Sequence, residues 1–361
     1  MTEATSVAAH AVDRGPAHVH RLSARDAALG LRVLATLLES GLPVRRALTA
    51  LRQLVPASWR AALPAIEQAV REGTPLGAAL ERSSLGLPQV VLGMIRAGEA
   101  GSGLAAAVAR AAGYTEAQAA TRAAVRSALA YPAVLAVAGL GSVGVLVGVV
   151  LPRFASILAD LGQALPPTTR LVMHVAAAVR AGALPMAFAV VVVFMLWRAW
   201  VATEDGAVRW HLFLLSLPLV GDVRRSAATA RACAAGAALL ESGVPLPNAL
   251  LHAARAAGDA AISAHLLAAR QAVIVGARPS QAIATHDAMT DVAAKLIRAG
   301  EETGALASMM AHAGRLEGER AAGRLRMVVT LLEPALILAF SGIVGLVAAA
   351  LLQAIYSVRP S

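Results

Sequence analysis

The glycine-rich segment at residues 98–104 is the stretch whose residue types most resemble a phosphate-binding loop. Its sequence, GEAGSGL, lacks the Gly-Lys-Ser/Thr ending that supplies a cation to the phosphates. The related segment at 300–306, GEETGAL, has no lysine either. Because Glu99 and Glu301 place negative charge inside these segments, nucleotide binding is disfavoured, and a helix-to-helix turn is the simpler interpretation.

Four glutamates lie in or beside repeated motifs and are the candidate partner contacts: Glu39, Glu99, Glu241 and Glu301. Together they could contact a basic surface of a partner protein. The nine histidines give no metal-ligand spacing, since none has another histidine three or four residues further on. No catalytic constellation can be assembled from the remaining residues. We therefore predict no catalytic, cofactor-binding or metal site, and a protein that is not an enzyme.

The chain has one cysteine, Cys233, which excludes an intrachain disulfide and a cysteine metal cluster. It occupies the position of Leu31 in an internal repeat described below. The equivalence predicts a small apolar residue on a packed helix face rather than a nucleophile.

An internal repeat with an offset of 202 residues organises the chain. Repeats of this kind indicate that one structural unit occurs twice. The repeated segments are LLESGLP at 37–43 with LLESGVP at 239–245, RAGE at 96–99 with RAGE at 298–301, and Pro132 with Pro334. The unit is therefore a helical domain of roughly a hundred residues that leads directly into an apolar segment.

Helix signals can be identified within the first copy. Ser23, with Asp26 three residues later, can cap a helix whose apolar stripe includes Leu31 and Leu34. Gly41, followed by a proline, ends that helix in the usual way. Abundant alanine and the lack of alternating apolar and polar runs predict helices throughout and no strands.

Hydrophobic residues make up 58% of the chain, which is more than a soluble protein of this length needs. Residues 127–152 and 334–358 contain no charged side chain and are long enough to cross a bilayer. Residues 181–197 are a shorter third candidate, ending at Trp197 with Trp200 close by, as an interfacial anchor does. This third crossing is needed to bring the second copy back to the side of the first.

The formal charge of +10 is explained by membrane topology. Nucleic-acid binding would call for aromatic platforms or a recognisable motif, so we predict no nucleic-acid partner. Fourteen Lys and Arg residues precede residue 127, three lie in 153–180, fourteen lie in 198–333 and one follows the last span. Because basic residues accumulate on the cytoplasmic side, the first and third of these segments are predicted to be cytoplasmic.

The prediction is an all-α, polytopic membrane protein of the inner membrane, with a cytoplasmic N-terminus, two homologous cytoplasmic helical-bundle domains and three transmembrane helices. The first residues have no apolar core of the kind a signal peptide needs. The predicted segments are a disordered N-terminal tail (1–22), the first cytoplasmic domain (23–126), transmembrane helix 1 (127–152), a periplasmic connection (153–180), transmembrane helix 2 (181–197), the second cytoplasmic domain (198–333), transmembrane helix 3 (334–358) and a periplasmic C-terminus (359–361).

Several motifs together resemble a known family. They are the two LLESGxP turns, the glycine-rich turn GEAGSGL at 98–104, Tyr131-Pro132 with its counterpart Glu333-Pro334, LPRF at 151–154, LPPTTR at 165–170 and LPLVG at 217–221. Their types and order resemble those of the inner-membrane platform proteins of type II secretion and type IV pilus systems, the GspF/PilC group.

The resemblance implies a non-enzymatic hub without cofactors. Such a protein would dock a cytoplasmic assembly ATPase on its two helical domains, work with other inner-membrane assembly proteins, and help pilin-like subunits leave the bilayer for a filament. Secretion, pilus assembly and DNA uptake all remain open as the process served.

The alternative interpretation is a repeat-built small transporter or channel. Transporters usually place ionisable residues inside the membrane, and none lies within the three predicted spans. The first span instead carries a glycine stripe that includes Gly139, Gly141 and Gly144, which suits close helix packing. Packing within the chain and packing against a second subunit or a partner both fit, and self-association is expected.

Overall fold

The computed structural model of the chain describes residues 22–150, 152–153, 156, 188–189 and 191–356. Every regular element in these ranges is a helix and none is a strand, so the predicted all-α class is confirmed. Residues 1–21, most of 153–180 and residues 359–361 lie outside the described residues. The predictions of a disordered tail, a periplasmic connection and a periplasmic C-terminus therefore stay predictions.

The described helices are numbered here in chain order. The first group is α1 (Ala24–Glu39), α2 (Val44–Leu54), α3 (Ala57–Arg71), α4 (Leu76–Arg82), α5 (Gln89–Ala97) and α6 (Leu104–Val145), with π-helical turns at Gly98–Ser102 and Leu146–Val150. The second group is α7 (Val191–Val201), α8 (Glu204–Ser216), α9 (Val220–Glu241), α10 (Leu246–Ala256), α11 (Ala260–Ile274), α12 (Pro279–Thr285), α13 (Asp291–Thr303) and α14 (Leu306–Tyr356).

These helices form two compact units that do not coincide with the two halves of the sequence. Unit 1 comprises Met1–Ala120 and Ala235–His252, and unit 2 comprises Thr121–Ala234 and Ala253–Ser361. Unit 1 therefore holds α1 to α5, the start of α6, the end of α9 and most of α10. By sequence, the segment Ala235–His252 belongs to the second repeat, yet it packs with helices of the first.

Helix α1 begins and ends as its sequence predicts. Ser23 Oγ accepts a hydrogen bond from the Asp26 N–H at 3.0 Å, which satisfies one free donor of the first turn. Leu31 and Leu34 lie on the buried face of the helix. The chain leaves the helix through Gly41, whose φ of 84° is a left-handed conformation that glycine adopts without strain.

A tryptophan fixes the contact between α1 and α3 in unit 1. Trp59 is fully buried, and its Nε1–H donates to the backbone oxygen of Asp26 at 2.9 Å. A Cβ added at Gly30 would lie 2.1 Å from the Trp59 ring. Glycine at position 30 is thus what lets the ring pack directly against the α1 backbone.

We expect Gly30→Ala and Gly113→Ala to change stability in opposite directions. Gly30→Ala overpacks the Trp59 contact and should destabilise the protein by about 1–2 kcal/mol. Gly113 lies within α6 and nothing stands within 4 Å of an added Cβ, so Gly113→Ala should stabilise by about 0.5–1 kcal/mol, which is the cost of glycine inside a helix. Denaturant unfolding in detergent, followed by tryptophan fluorescence, measures both. If both substitutions changed the free energy of unfolding equally, the close packing of the Trp59 ring on Gly30 would be contradicted.

In unit 2, α9 and α14 approach closely through small residues. A Cβ added at Gly314 would lie 3.1 Å from the Ala234 nitrogen and 3.2 Å from the Ala230 oxygen. Cys233 lies at this contact and is fully buried, which confirms the prediction of a small residue on a packed helix face. Burial, together with the charge of Glu317, raises the pKa of its thiol to about 12. The thiol therefore stays protonated and is a poor nucleophile.

Within the part of the chain that the structure describes, two helices are long and apolar enough to cross a membrane. They are Leu104–Val150, which is α6 with the turn after it, and Leu306–Ala349 of α14. No residue of their most apolar windows is buried within the protein, so these surfaces suit contact with lipid. Helix α7 lies partly within the predicted second span, 181–197, but is shorter, and the first residues of that span lie outside the described ranges. The crossing at 181–197 stays a prediction.

The apolar parts of α6 and α14, both in unit 2, pack side by side. Tyr131 Oη donates to Glu333 Oε1 at 3.0 Å. Further along both helices, a Cβ added at Gly139 would lie 2.2 Å from the Phe340 ring. Residue numbers rise together along the contact, so the two helices are parallel. Tyr131 and Glu333 also occupy equivalent positions of the repeat, so the two copies meet there.

Candidate functional site

In unit 1, the glutamate of the first RAGE motif caps a neighbouring helix. Glu99 Oε1 accepts the Leu76 N–H at 2.5 Å, and Glu99 Oε2 accepts the Gly77 N–H at 3.0 Å. Leu76 and Gly77 open α4, and the preceding Pro75 offers no side-chain cap. The carboxylate therefore satisfies two free donors of α4 and places negative charge at the positive end of its dipole.

The second RAGE motif makes the same contact in unit 2. Glu301 Oε2 accepts the Ser280 N–H at 3.1 Å, at the start of α12. Ser280 is the second residue of α12, as Gly77 is of α4, so the capped positions correspond within the two helices. Both copies thus use the glutamate to hold a seven-residue helix whose own N-terminus has no capping side chain.

The glycine before each of these glutamates permits close approach of the next long helix. A Cβ added at Gly98 would lie 2.2 Å from Ala107 Cβ, and one added at Gly300 would lie 2.8 Å from Met309 Cβ. Ala107 and Met309 are equivalent positions of the repeat. The Gly-Glu pair therefore joins three helices in each copy, which accounts for its recurrence.

The other two candidate glutamates have different surroundings. Glu39 and Glu241 are the last residues of α1 and α9, and both are exposed. The structure thus separates the four candidates into two caps within the fold and two exposed carboxylates, and it brings no two of them into hydrogen-bond contact among the described residues. Their role as partner contacts stays a prediction. Over the same described ranges, no three His, Cys, Asp or Glu side chains are grouped to hold a metal ion.

Beside Glu241, Ser242 ties the segment Ala235–His252 into unit 1. Ser242 is 1% exposed, and its hydroxyl accepts a hydrogen bond from Arg110 Nε at 3.0 Å. Arg110 belongs to α6, before the first predicted span, whereas Ser242 follows the second predicted span. The contact therefore joins two parts of the chain that the predicted spans separate in sequence.

Asp259 is a buried acid that sequence reasoning missed. Its Oδ1 accepts the N–H groups of Ala261 and Ile262 and caps α11, while Oδ2 accepts Arg224 Nη2 at 2.6 Å. Burial alone would raise the pKa of Asp259, but the hydrogen bonds from Arg224 and Ile262, with the charge of Arg224, hold that pKa below its usual value. His211 Nδ1 accepts the first N–H of α11, so α8 is joined to this cluster.

An aromatic cluster links α7 to α8, next to His211. The ring centroids of Trp197 and Trp210 are 5.4 Å apart and edge to face. The Phe194 ring lies tilted against Trp197 and the Phe213 ring tilted against Trp210, each at 5.7 Å. Aromatic residues of this kind favour the boundary between a bilayer and water. The cluster lies at the end of the predicted span 181–197, which itself stays a prediction.

The long parallel helices and the twice-used Gly-Glu turns define the class of protein as a duplicated helical membrane protein. Comparison with known proteins identifies its family. The family model described as Type II secretion system (T2SS), protein F matches residues 31–152 and again residues 232–353. The chain belongs to this family, and the internal repeat predicted from the LLESG and RAGE segments is confirmed.

Individual relatives match along nearly the whole chain. The type II secretion system protein F of Pseudomonas aeruginosa is 34% identical over 341 residues, covering 94% of this chain and 84% of the relative. The type IV pilus assembly protein PilC of Thermus thermophilus is 29% identical and covers 96% of this chain and 84% of the relative. The type II secretion system protein F of Vibrio cholerae is 26% identical, covering 98% and 88%.

Proposed function

We propose that this protein is an inner-membrane platform of a type II secretion or type IV pilus machine, and that it is not an enzyme. It couples a cytoplasmic assembly ATPase to the insertion of pilin-like subunits into a filament, together with other inner-membrane assembly proteins and further copies of itself. The observation that carries this proposal is the family match over both repeats, with relatives named for secretion and for pilus assembly.

Unit 1 is built from two separate segments of the chain, and this supports the proposed topology. A Cβ added at Gly93 would lie 3.1 Å from Leu239 Cδ2, so residues before the first predicted span pack with residues after the second. Groups that share one packed core must lie on the same side of the membrane. The chain then crosses an even number of times between them, and the predicted spans 127–152 and 181–197 supply two crossings.

The parallel contact of α6 and α14 supports the same topology. Two parallel spans both leave the membrane on the same side, so the chain must return across the bilayer between them. Residues 1–126 and residues 198–333 each contain fourteen Lys and Arg residues. This charge favours a cytoplasmic position for both helical domains and for the N-terminus.

Helix α14 offers a direct mechanical connection between a domain and its span. Its first turns bury Met310, Ala313 and Glu317 within unit 2, and the same helix continues to Tyr356 without a break. Its 51 residues extend roughly 75 Å, compared with about 30 Å for the bilayer core. Movement of unit 2 by an ATPase would therefore be carried straight to the span that contacts α6.

The candidate partner contacts enter this proposal in two groups. Glu39 and Glu241 are exposed and end equivalent helices, so their carboxylates are the ones best placed to meet a basic partner surface. Glu99 and Glu301 contribute by holding α4 and α12 in position. All four thus serve docking, two by contact and two by shaping the domain.

The proposal predicts that deletion abolishes secretion or pilus assembly and that the full-length chain restores it. Purified into lipid nanodiscs, the protein should hydrolyse no ATP on its own, yet it should capture the purified assembly ATPase of the same machine in an interferometry experiment. An empty nanodisc is the control. Normal export in the deletion strain, or no capture of the ATPase, would contradict the proposal.

A further inference from the structure

Helices α7 and α8 hold more than half of the tryptophan and phenylalanine residues of the chain. Three of its four tryptophans and two of its five phenylalanines lie within residues 191–213. Tryptophan favours the boundary between bilayer and water, because its indole combines a large apolar ring with a polar N–H. This concentration makes residues 191–213 well suited to that boundary.

Helix α7 is exposed on every side. Each residue from Val191 to Trp200 is exposed, and Arg198 is the one charged residue among them. A protein partner covers one face of a helix, whereas lipid surrounds it. A helix that is apolar around its whole circumference therefore indicates contact with lipid rather than with a single docking partner.

Helix α8 has two different sides. On its inner side, His211 Nδ1 accepts the Ala260 N–H at 2.8 Å, which fixes the helix to the start of α11. Its outer side is apolar toward the C-terminal end. We call the α8 patch the four apolar residues there and just after the helix that are between 40% and 54% exposed: Leu212, Phe213, Leu219 and Val220.

The α8 patch is continuous with the exposed surface of α7. The Phe213 ring lies 5.7 Å from the Trp210 ring, and the Trp210 ring lies 5.4 Å from that of Trp197. Trp197 is exposed and is the last residue of the predicted span 181–197. A lipid layer that contacts α7 as far as Trp197 therefore extends along this row of rings to Phe213.

Leu219 has an unfavourable backbone conformation although its side chain is exposed. Its φ is 67°, in the left-handed region that leucine rarely adopts, and the Val220 N–H donates to the Pro218 oxygen at 2.8 Å. In water, both the backbone strain and the exposed apolar side chain would destabilise this turn. Insertion of the side chain into lipid would offset that cost, since the burial of apolar surface is favourable.

The charges beside the α8 patch are balanced. Arg198 and Arg209 are matched in the sequence by Glu204 and Asp205. Neither an acidic nor a basic protein surface is therefore favoured by charge at this place. A zwitterionic phospholipid carries one charge of each sign in its headgroup and can pair with both kinds of side chain.

We propose that α8 lies at the cytoplasmic surface of the bilayer, with the α8 patch inserted among phospholipid chains close to their headgroups. The hydrogen bond between His211 and Ala260 then holds α11, and with it unit 2, against the membrane surface. This contact rests on the proposed topology, which places α8 on the cytoplasmic side. It adds to the platform a part of the second domain that touches lipid.

Depth measurements on the spin-labelled full-length protein test this contact. In a Cys233→Ala background, a nitroxide is attached to a cysteine at Ser216, which is exposed beside the α8 patch. The protein is reconstituted into nanodiscs of zwitterionic lipid. The control position is Gln271, exposed on α11, and Val193 in α7 is the membrane reference. Oxygen partitions into lipid and a nickel chelate stays in water, so the ratio of the two accessibilities reports depth. We expect the ratio at Ser216 to exceed that at Gln271 at least about threefold, because an interfacial helix is partly immersed in the bilayer.

The same labels show which result overturns the contact. A ratio at Ser216 equal to that at Gln271 would mean that the patch faces water. Low accessibility of Ser216 to both reagents would mean that protein covers the patch, such as a second copy of this chain. Either result at Ser216 alone would overturn the lipid contact and leave the platform proposal intact. Water exposure of both Val193 and Ser216 would overturn the contact and the predicted crossing at 181–197 together.

A matched pair of variants tests whether the patch itself holds α8 in the membrane. Phe213→Gln with Leu219→Asn makes the patch polar, and asparagine adopts a left-handed backbone more readily than leucine does. Ile274→Gln with Val275→Asn makes a similar change at two exposed apolar residues at the end of α11. We expect the depth ratio at Ser216 to fall by at least about half in the patch variant and to stay unchanged in the control, because the patch loses its apolar surface. Equal ratios in the two variants would overturn the assignment of the patch.

Discussion

Gly139→Leu should abolish secretion or pilus assembly, whereas Gly141→Leu should leave it close to normal. A side chain at position 139 would meet the Phe340 ring at 2.2 Å and force α6 and α14 apart. Nothing stands within 4 Å of a Cβ added at Gly141. The two substitutions add the same apolar bulk to the same helix, so the difference isolates the α6–α14 contact. Overpacking of this kind costs about 1–3 kcal/mol at the contact.

The structural cause can be measured separately from the export defect. In a Cys233→Ala background, cysteines placed at Tyr131 and Glu333 report the distance between the two helices through a short bifunctional maleimide. We expect the crosslinking yield in membranes to fall sharply with Gly139→Leu and to persist with Gly141→Leu. Loss of export with Gly141→Leu but not with Gly139→Leu would contradict this prediction. Export would then depend on the opposite face of α6 rather than on its contact with α14.

Glu99→Ala should destabilise the protein by about 3 kcal/mol, because two backbone N–H groups of α4 lose a charged acceptor. Glu99→Gln keeps one acceptor oxygen, so its stability should lie between those of the unaltered protein and Glu99→Ala. Glu39→Ala is the matched control, since Glu39 is exposed, and should change stability by less than about 0.5 kcal/mol. Thermal unfolding in nanodiscs measures all three variants.

The same variants separate the two roles that the sequence allows for these glutamates. If Glu99 is a cap, its loss lowers stability first, and ATPase binding falls only through the fraction of protein that unfolds. If Glu99 is a direct contact, binding falls at full stability. A stable Glu99→Ala protein with weakened ATPase binding would therefore refute the capping role, and Glu301→Ala repeats the test in unit 2.

The elements of the fold that depend on local sequence could be predicted. The cap at Ser23, the buried stripe and the glycine that ends α1 follow from neighbouring residues. The two long apolar helices follow from the lack of charge over enough residues to cross a bilayer. The internal repeat required only a comparison of the chain with itself. These features do not depend on which helix packs against which.

The interleaving of the two units could not be predicted, because the repeat makes both copies look equally suitable. The first hairpin of either copy could cover the equivalent face of α5 or α13. The choice depends on single differences, such as Gly93 against Lys295, whose effect appears only when the packing partner is known. The capping role of Glu99 was missed for a similar reason, since α4 precedes it by more than twenty residues. A proline at the start of a short uncapped helix was the available signal.

The origin of part of unit 1 in the second repeat has a consequence for biosynthesis. During translation, α1 to α5 leave the ribosome long before residues 235–252 are made. In the proposed topology, the apolar face around Leu92 then stays uncovered while the chain inserts the spans at 127–152 and 181–197 and returns to the cytoplasm. Unit 1 can close only after those insertions succeed, so its folding reports the completion of membrane integration. A nascent chain that fails to return keeps an unfinished domain, which protein quality control can recognise.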